Sequence, residues 1–76
     1  MDMVVAYLLA LVETGKEHKA AEEISKVQGV KEVVITYGTW DLVTKISTDT
    51  LNELDMVITK IREIPMVQQT ETLIGI

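Results

Sequence analysis

Seventy-six residues make one domain, and the absence of cysteine excludes disulfides and thiolate metal sites. A formal charge of -5, with the seven Lys and Arg residues scattered, argues against direct contact with a nucleic-acid backbone. A chain this short buries only roughly 60% of the surface its unfolded form exposes, so self-association is the remaining source of stability.

The run from Met3 to Val12 is apolar throughout and ten residues long, too short to span a bilayer as a helix. Val at both ends and the Thr14-Gly15 break predict a strand, apolar on both faces and expected to be buried on both. Asp2 stands where a secretory signal would carry positive charge, so the chain is expected to be cytoplasmic. Lys16 to Val27 is expected to be a helix with Ala20, Ala21, Ile24 and Val27 inward, ended by Gln28 and a left-handed Gly29.

Val30 to Tyr37 and Asp41 to Thr48 read as a β-hairpin around Gly38-Thr39-Trp40. A second helix starts near Asp49, where Thr50 and Glu53 have the capping-box spacing. Its inward stripe is read as Leu51, Leu54, Ile58 and Ile61, and Pro65 stops it. Met66 to Ile76 is the last strand. The order β-α-β-β-α-β predicts a ferredoxin-like α+β sandwich, a four-stranded antiparallel sheet with both helices on one face.

Two helices cover one face of such a sheet. Four strands of about seven residues give an open face on the order of 400 Å², near the limit for an apolar patch on a soluble monomer. Burying half of it against a second copy contributes roughly 5 kcal/mol per subunit before association entropy is subtracted. A two-fold homodimer is the simplest expectation.

Two polar stretches carry candidate chemistry. In Tyr37-Gly38-Thr39-Trp40-Asp41, Gly38 supplies a positive φ and Asp41 caps backbone amides, which a plain hairpin turn would need. A free amino acid would use the same groups, its carboxylate needing donors and its ammonium an anion such as Asp41. In Gln68-Gln69-Thr70-Glu71-Thr72, alternation places Gln68, Thr70 and Thr72 on one face, either as a solvated edge strand or as the lining of a polar ligand site. His18 reads as a solvated histidine on a helix surface and Met56 and Met66 as core filler. Neither serine has a base arranged around it, and no glycine-rich phosphate loop or metal motif is present, so no cofactor, metal or catalytic residue is expected.

The pieces Gly38-Thr39-Trp40-Asp41-Leu42, Ile64-Pro65-Met66-Val67 and Thr70-Glu71-Thr72-Leu73-Ile74, in that order, resemble the effector-binding (RAM) domain of the Lrp/AsnC transcriptional regulators. Val27-Gln28-Gly29-Val30 is similar to the family's link into the second strand, and the resemblance covers essentially the whole chain. Met66 departs from the glycine often found between the family's proline and valine, which concerns the turn and not the site. The resemblance implies a non-enzymatic amino-acid-sensing and oligomerisation module, dimeric and often an octameric ring. The effector would bind between dimers near the hairpin loop, with Gly38, Trp40, Asp41, Thr70 and Thr72 as ligand-binding residues and Tyr37 and Gln68 beside them. Full-length family members carry a helix-turn-helix domain, and residues 1–76 are read as the sensing domain alone, with full-length regulators as possible partners. Two alternatives stay open: an ACT-like regulatory domain, with ligands near Glu13-Thr14-Gly15, and a small dimeric ferredoxin-like enzyme.

Overall fold

The computed structural model describes residues 3–76. Its elements are β1 (Val4–Val12), α1 (Glu17–Ser25), β2 (Val30–Ile35), β3 (Leu42–Thr48), α2 (Leu51–Arg62) and β4 (Val67–Ile74). The strands form one antiparallel sheet in the order β2-β3-β1-β4, the expected ferredoxin-like arrangement. β1 lies between β3 and β4, so the most apolar segment of the chain occupies an interior position.

Alternation along β1 sorts its side chains. Ala6, Leu8, Ala10 and Val12 face the helices and are buried. They pack with Leu42 and Ile46 of β3, Ala20 and Ile24 of α1, and Leu54, Val57 and Ile61 of α2 in a single core. The inward stripe of α2 differs from the sequence reading. Val57 belongs to it, whereas Leu51, in the first turn beside the cap, is 63% exposed. Ile58 is half-buried at the stripe's edge.

Helix boundaries follow local chemistry. The capping box of α2 forms as its spacing predicts: Thr50 Oγ1 accepts the Glu53 amide at 3.1 Å and Glu53 Oε1 accepts the Thr50 amide at 3.2 Å. α1 has no side-chain cap, and it closes earlier than its apolar pattern implies. The Val27 amide bonds to Ile24 and the Val30 amide to Val27, so two tight turns carry the chain into β2. Gly29 sits in the second with φ +103, the left-handed geometry expected of it.

The sheet's other face is uncovered within the chain. Register sets Val34, Val43, Leu9 and Glu71 in one cross-sheet row, and Glu32, Lys45, Tyr7 and Leu73 in the next. Tyr7, Val34 and Leu73 are 41%, 44% and 50% exposed, and Val5, Leu9 and Leu11 are half-buried. The expectation that β1 is buried on both faces therefore holds, inside one chain, for its helix side only. The reason is the layering, since this chain supplies covering elements on one side of the sheet alone.

Candidate functional site

At one end of the sheet β1 finishes, β4 starts and the β2–β3 loop turns. Both polar stretches come to this end. The loop half is built by a switch of hydrogen-bond partners. β3 leaves the sheet at Asp41, whose amide still bonds to the Ala10 carbonyl at 2.9 Å. One position earlier the chain has turned away, and the Trp40 carbonyl accepts the Thr36 hydroxyl at 2.7 Å instead of continuing the ladder. The Val12 amide would then lack an acceptor, and Asp41 Oδ2 supplies it at 3.0 Å. Asp41 thus caps a backbone amide, as its bland reading holds, but on the neighbouring strand and not in its own turn. Oδ1 is the oxygen left for another donor. Gly38 turns the loop with φ +120 in open space, Trp40 is half-buried and Tyr37 is fully exposed.

The strand half is a groove of about 520 Å³ between α2 and β4. Gln68, Thr70 and Thr72 all line it, with Gln69 and Val67 beside them and Ile58 and Arg62 from the helix. The register of β4 against β1 shifts between Leu11 and Val12, opposite Gln69 and Val67, so Gln68 is the extra residue at that irregularity. Thr70 and Thr72 pair with Ala10 and Leu8, both inward-facing, which places the two threonines on the helix side. The six predicted residues therefore form two clusters. Gly38, Trp40 and Asp41 line no part of this groove, and β1 stands between the clusters, so adjacent-strand spacing separates them by roughly 10 Å within one chain.

Arg62 was missing from the sequence reading. It follows Ile58 by four residues and so shares its side of the helix, a spacing visible in the sequence once Ile58 is recognised as the stripe's edge. A second groove, of about 410 Å³, lies at the opposite end of the sheet and is lined by Met3, Gly29, Thr48, Met56, Val57 and Lys60 among others. It holds none of the predicted residues. Among the described residues no group of three His, Asp or Glu gathers to hold a metal, and no helix is long and apolar enough to cross a membrane.

A one-layer helical cover, an open sheet face with apolar residues at its centre and a polar groove beside the last strand define a small ferredoxin-like α+β domain. The family model of the Lrp/AsnC ligand binding domain matches residues 5–76, and the chain belongs to that family. It is 42% identical over 60 residues to an uncharacterised helix-turn-helix-type transcriptional regulator of Pyrococcus abyssi, covering 78% of this chain and 40% of the relative. It is 35% identical over 71 residues to the transcriptional regulator FL11 of Pyrococcus horikoshii, covering 93% of this chain and 47% of FL11. The chain thus spans less than half the length of these relatives. Among solved structures, FFRP-DM1 superposes with a TM-score of 0.91 at 43% identity, covering 96% of this chain and 99% of that one. AsnC of E. coli superposes with a TM-score of 0.87 at 25% identity, covering 96% of this chain and 50% of AsnC. Membership of this family decides against the ACT-like alternative, and relatives named as transcriptional regulators fit a regulatory rather than a catalytic domain.

Proposed function

We propose that this domain senses an amino acid and couples its binding to self-assembly. The observation that carries the reading is the gathering of both polar stretches at one end of the sheet, in two halves of different chemistry. The loop half offers the Asp41 carboxylate, suited to an ammonium group. The groove half offers the amides of Gln68 and Gln69 and the hydroxyls of Thr70 and Thr72, suited to a carboxylate and to polar side-chain atoms. Since β1 separates the halves within one chain, an effector that touches both is held between two copies, the loop of one against the groove of the other. Gly38 and Trp40 then shape the contact and Asp41 provides its charge.

Assembly follows from the open sheet. Val34, Val43, Leu9, Tyr7 and Leu73 form an apolar field that a two-fold partner buries. Dimers built this way leave their polar sheet ends outward, where further dimers join, and an octameric ring is the closed form expected of the family. In a cytoplasmic setting, the same contacts allow mixed assembly with full-length regulators. With its charge of -5, the domain does not itself supply contacts to DNA phosphates.

Calorimetric titration with each of the twenty amino acids tests the reading. Binding of at least one, accompanied by a change in sedimentation mass, is the expected result. Absence of heat and of any thermal shift across the whole set contradicts it.

A further inference from the structure

The α2–β4 groove contains one formal charge, and it is positive. Of its lining residues Ile58, Arg62, Val67, Gln68, Gln69, Thr70 and Thr72, only Arg62 is ionised at neutral pH. Among the described residues the sole ion pair joins Lys26 to Glu23, so none of their carboxylates lies against the Arg62 guanidinium. Five lysines share that lack of an ion-pair partner, so what sets Arg62 apart is its place in the groove. Its neighbours along the groove are the amides of Gln68 and Gln69, the hydroxyls of Thr70 and Thr72, and the apolar Ile58 and Val67, none of which carries a countercharge.

A simple helix-end role explains part of this. Arg62 is in the last turn of α2, where a cation offsets the negative end of the helix dipole. Lys60 shares that turn and that role, yet it lines the groove at the other end of the sheet. The dipole accounts for having a cation in this turn and not for an arginine facing Gln68, Thr70 and Thr72. A planar guanidinium with five donors matches a carboxylate through two parallel hydrogen bonds, and neighbouring hydroxyls and amides can satisfy the remaining lone pairs.

We infer that the α2–β4 groove is a carboxylate-binding half-site in which Arg62 is the anchoring residue. The ligand class is an organic carboxylate, and the groove contains no acidic group to receive an ammonium ion. For a zwitterionic effector this fixes a polarity, with the carboxylate at Arg62 and the ammonium at the Asp41 of another copy. Only that orientation rests on the sensing function proposed above; the affinity of the groove for a carboxylate stands without it.

Sodium acetate is the probe that separates the two ideas, because it carries a carboxylate and no ammonium. In a nuclear magnetic resonance titration of the 76-residue chain at constant ionic strength, with sodium chloride as the balancing salt, acetate is expected to shift the amides of Gln68 to Thr72 saturably. Methylammonium chloride is expected to leave them unmoved. Arg62→Gln should weaken the acetate response at least roughly tenfold, the usual scale for losing a charged hydrogen-bond pair, and Arg62→Lys should fall between. Arg62 is exposed, so Arg62→Lys should keep the wild-type melting temperature and Arg62→Gln should lower it only slightly, through the lost helix-end charge. A wild-type chain with no saturable response, or a response unchanged in Arg62→Gln, overturns the assignment. Amino-acid binding that persists in Arg62→Gln while acetate has no effect would overturn it and leave the sensing function standing. Acetate binding without any amino-acid response would do the reverse.

Discussion

Asp41 Oδ2 lies 3.0 Å from the Val12 amide, twenty-nine residues away in sequence, and holds the end of β1 where β3 peels off into its loop. The bond is charge-assisted and partly shielded from water, and its loss would leave a backbone donor without an acceptor. Asp41→Ala should therefore cost about 1–3 kcal/mol of stability. Asp41→Asn retains an oxygen for Val12 and should cost less than half as much, yet it removes the charge assigned to the effector's ammonium. Urea denaturation compares the stabilities, and calorimetry shows whether Asn abolishes amino-acid binding while the fold persists. A variant that loses stability and binding in proportion would mean that Asp41 is structural only.

Thr44 is fully buried under the helices, and its Oγ1 has no hydrogen-bond partner. A hydroxyl taken out of water without compensation is a standing cost. Thr44→Val replaces it with a methyl of similar size and should stabilise the domain by about 1 kcal/mol, in keeping with the penalty for an unsatisfied buried hydroxyl. Chemical denaturation measures it; a loss of stability would show that the hydroxyl finds a partner in solution.

Gly29 and Gly38 both have positive φ but differ in surroundings. A Cβ on Gly29 would lie 2.8 Å from the Val57 Cγ2, whereas one on Gly38 would meet nothing within 4 Å. Backbone strain alone should limit Gly38→Ala to about 1–2 kcal/mol. Gly29→Ala adds overpacking against the core and should cost about 2–4 kcal/mol. Equal melting temperatures for the two variants would contradict this ordering.

Leu9 is at the centre of the open face, opposite Val43 on one side and Glu71 on the other. Leu9→Lys introduces a charge that water and Glu71 can solvate in a single chain but that a sheet-to-sheet contact would bury. Association should weaken by roughly 2–3 kcal/mol or more, the usual cost of truncating a central interface contact, with circular dichroism of the single chain unchanged. Analytical gel filtration across a dilution series checks it.

Much of the fold was legible because the relevant signals are local. The capping box at Thr50 and Glu53, the positive φ of Gly29 and the element order β-α-β-β-α-β all follow from short-range spacing. The inward stripe of α2 was read correctly at Leu54 and Ile61 but with Leu51 in and Val57 out, since both fit an apolar period and only the docking of the helix on the sheet selects Val57. The same limit applies to the candidate site. Gln68, Thr70 and Thr72 could be grouped by alternation along one strand, but Arg62 joins them from another element. Asp41 was recognisable as a capping residue, while its partner Val12 is fixed by how β1 and β3 pair, which no spacing within the loop encodes.

Sedimentation equilibrium of the wild-type chain at micromolar concentration tests the central claim, that a second copy shelters the sheet face bearing Tyr7, Leu9 and Val43. A mass of at least twice the 8.5 kDa chain is the predicted result. A single species at 8.5 kDa, folded and indifferent to concentration, would contradict it.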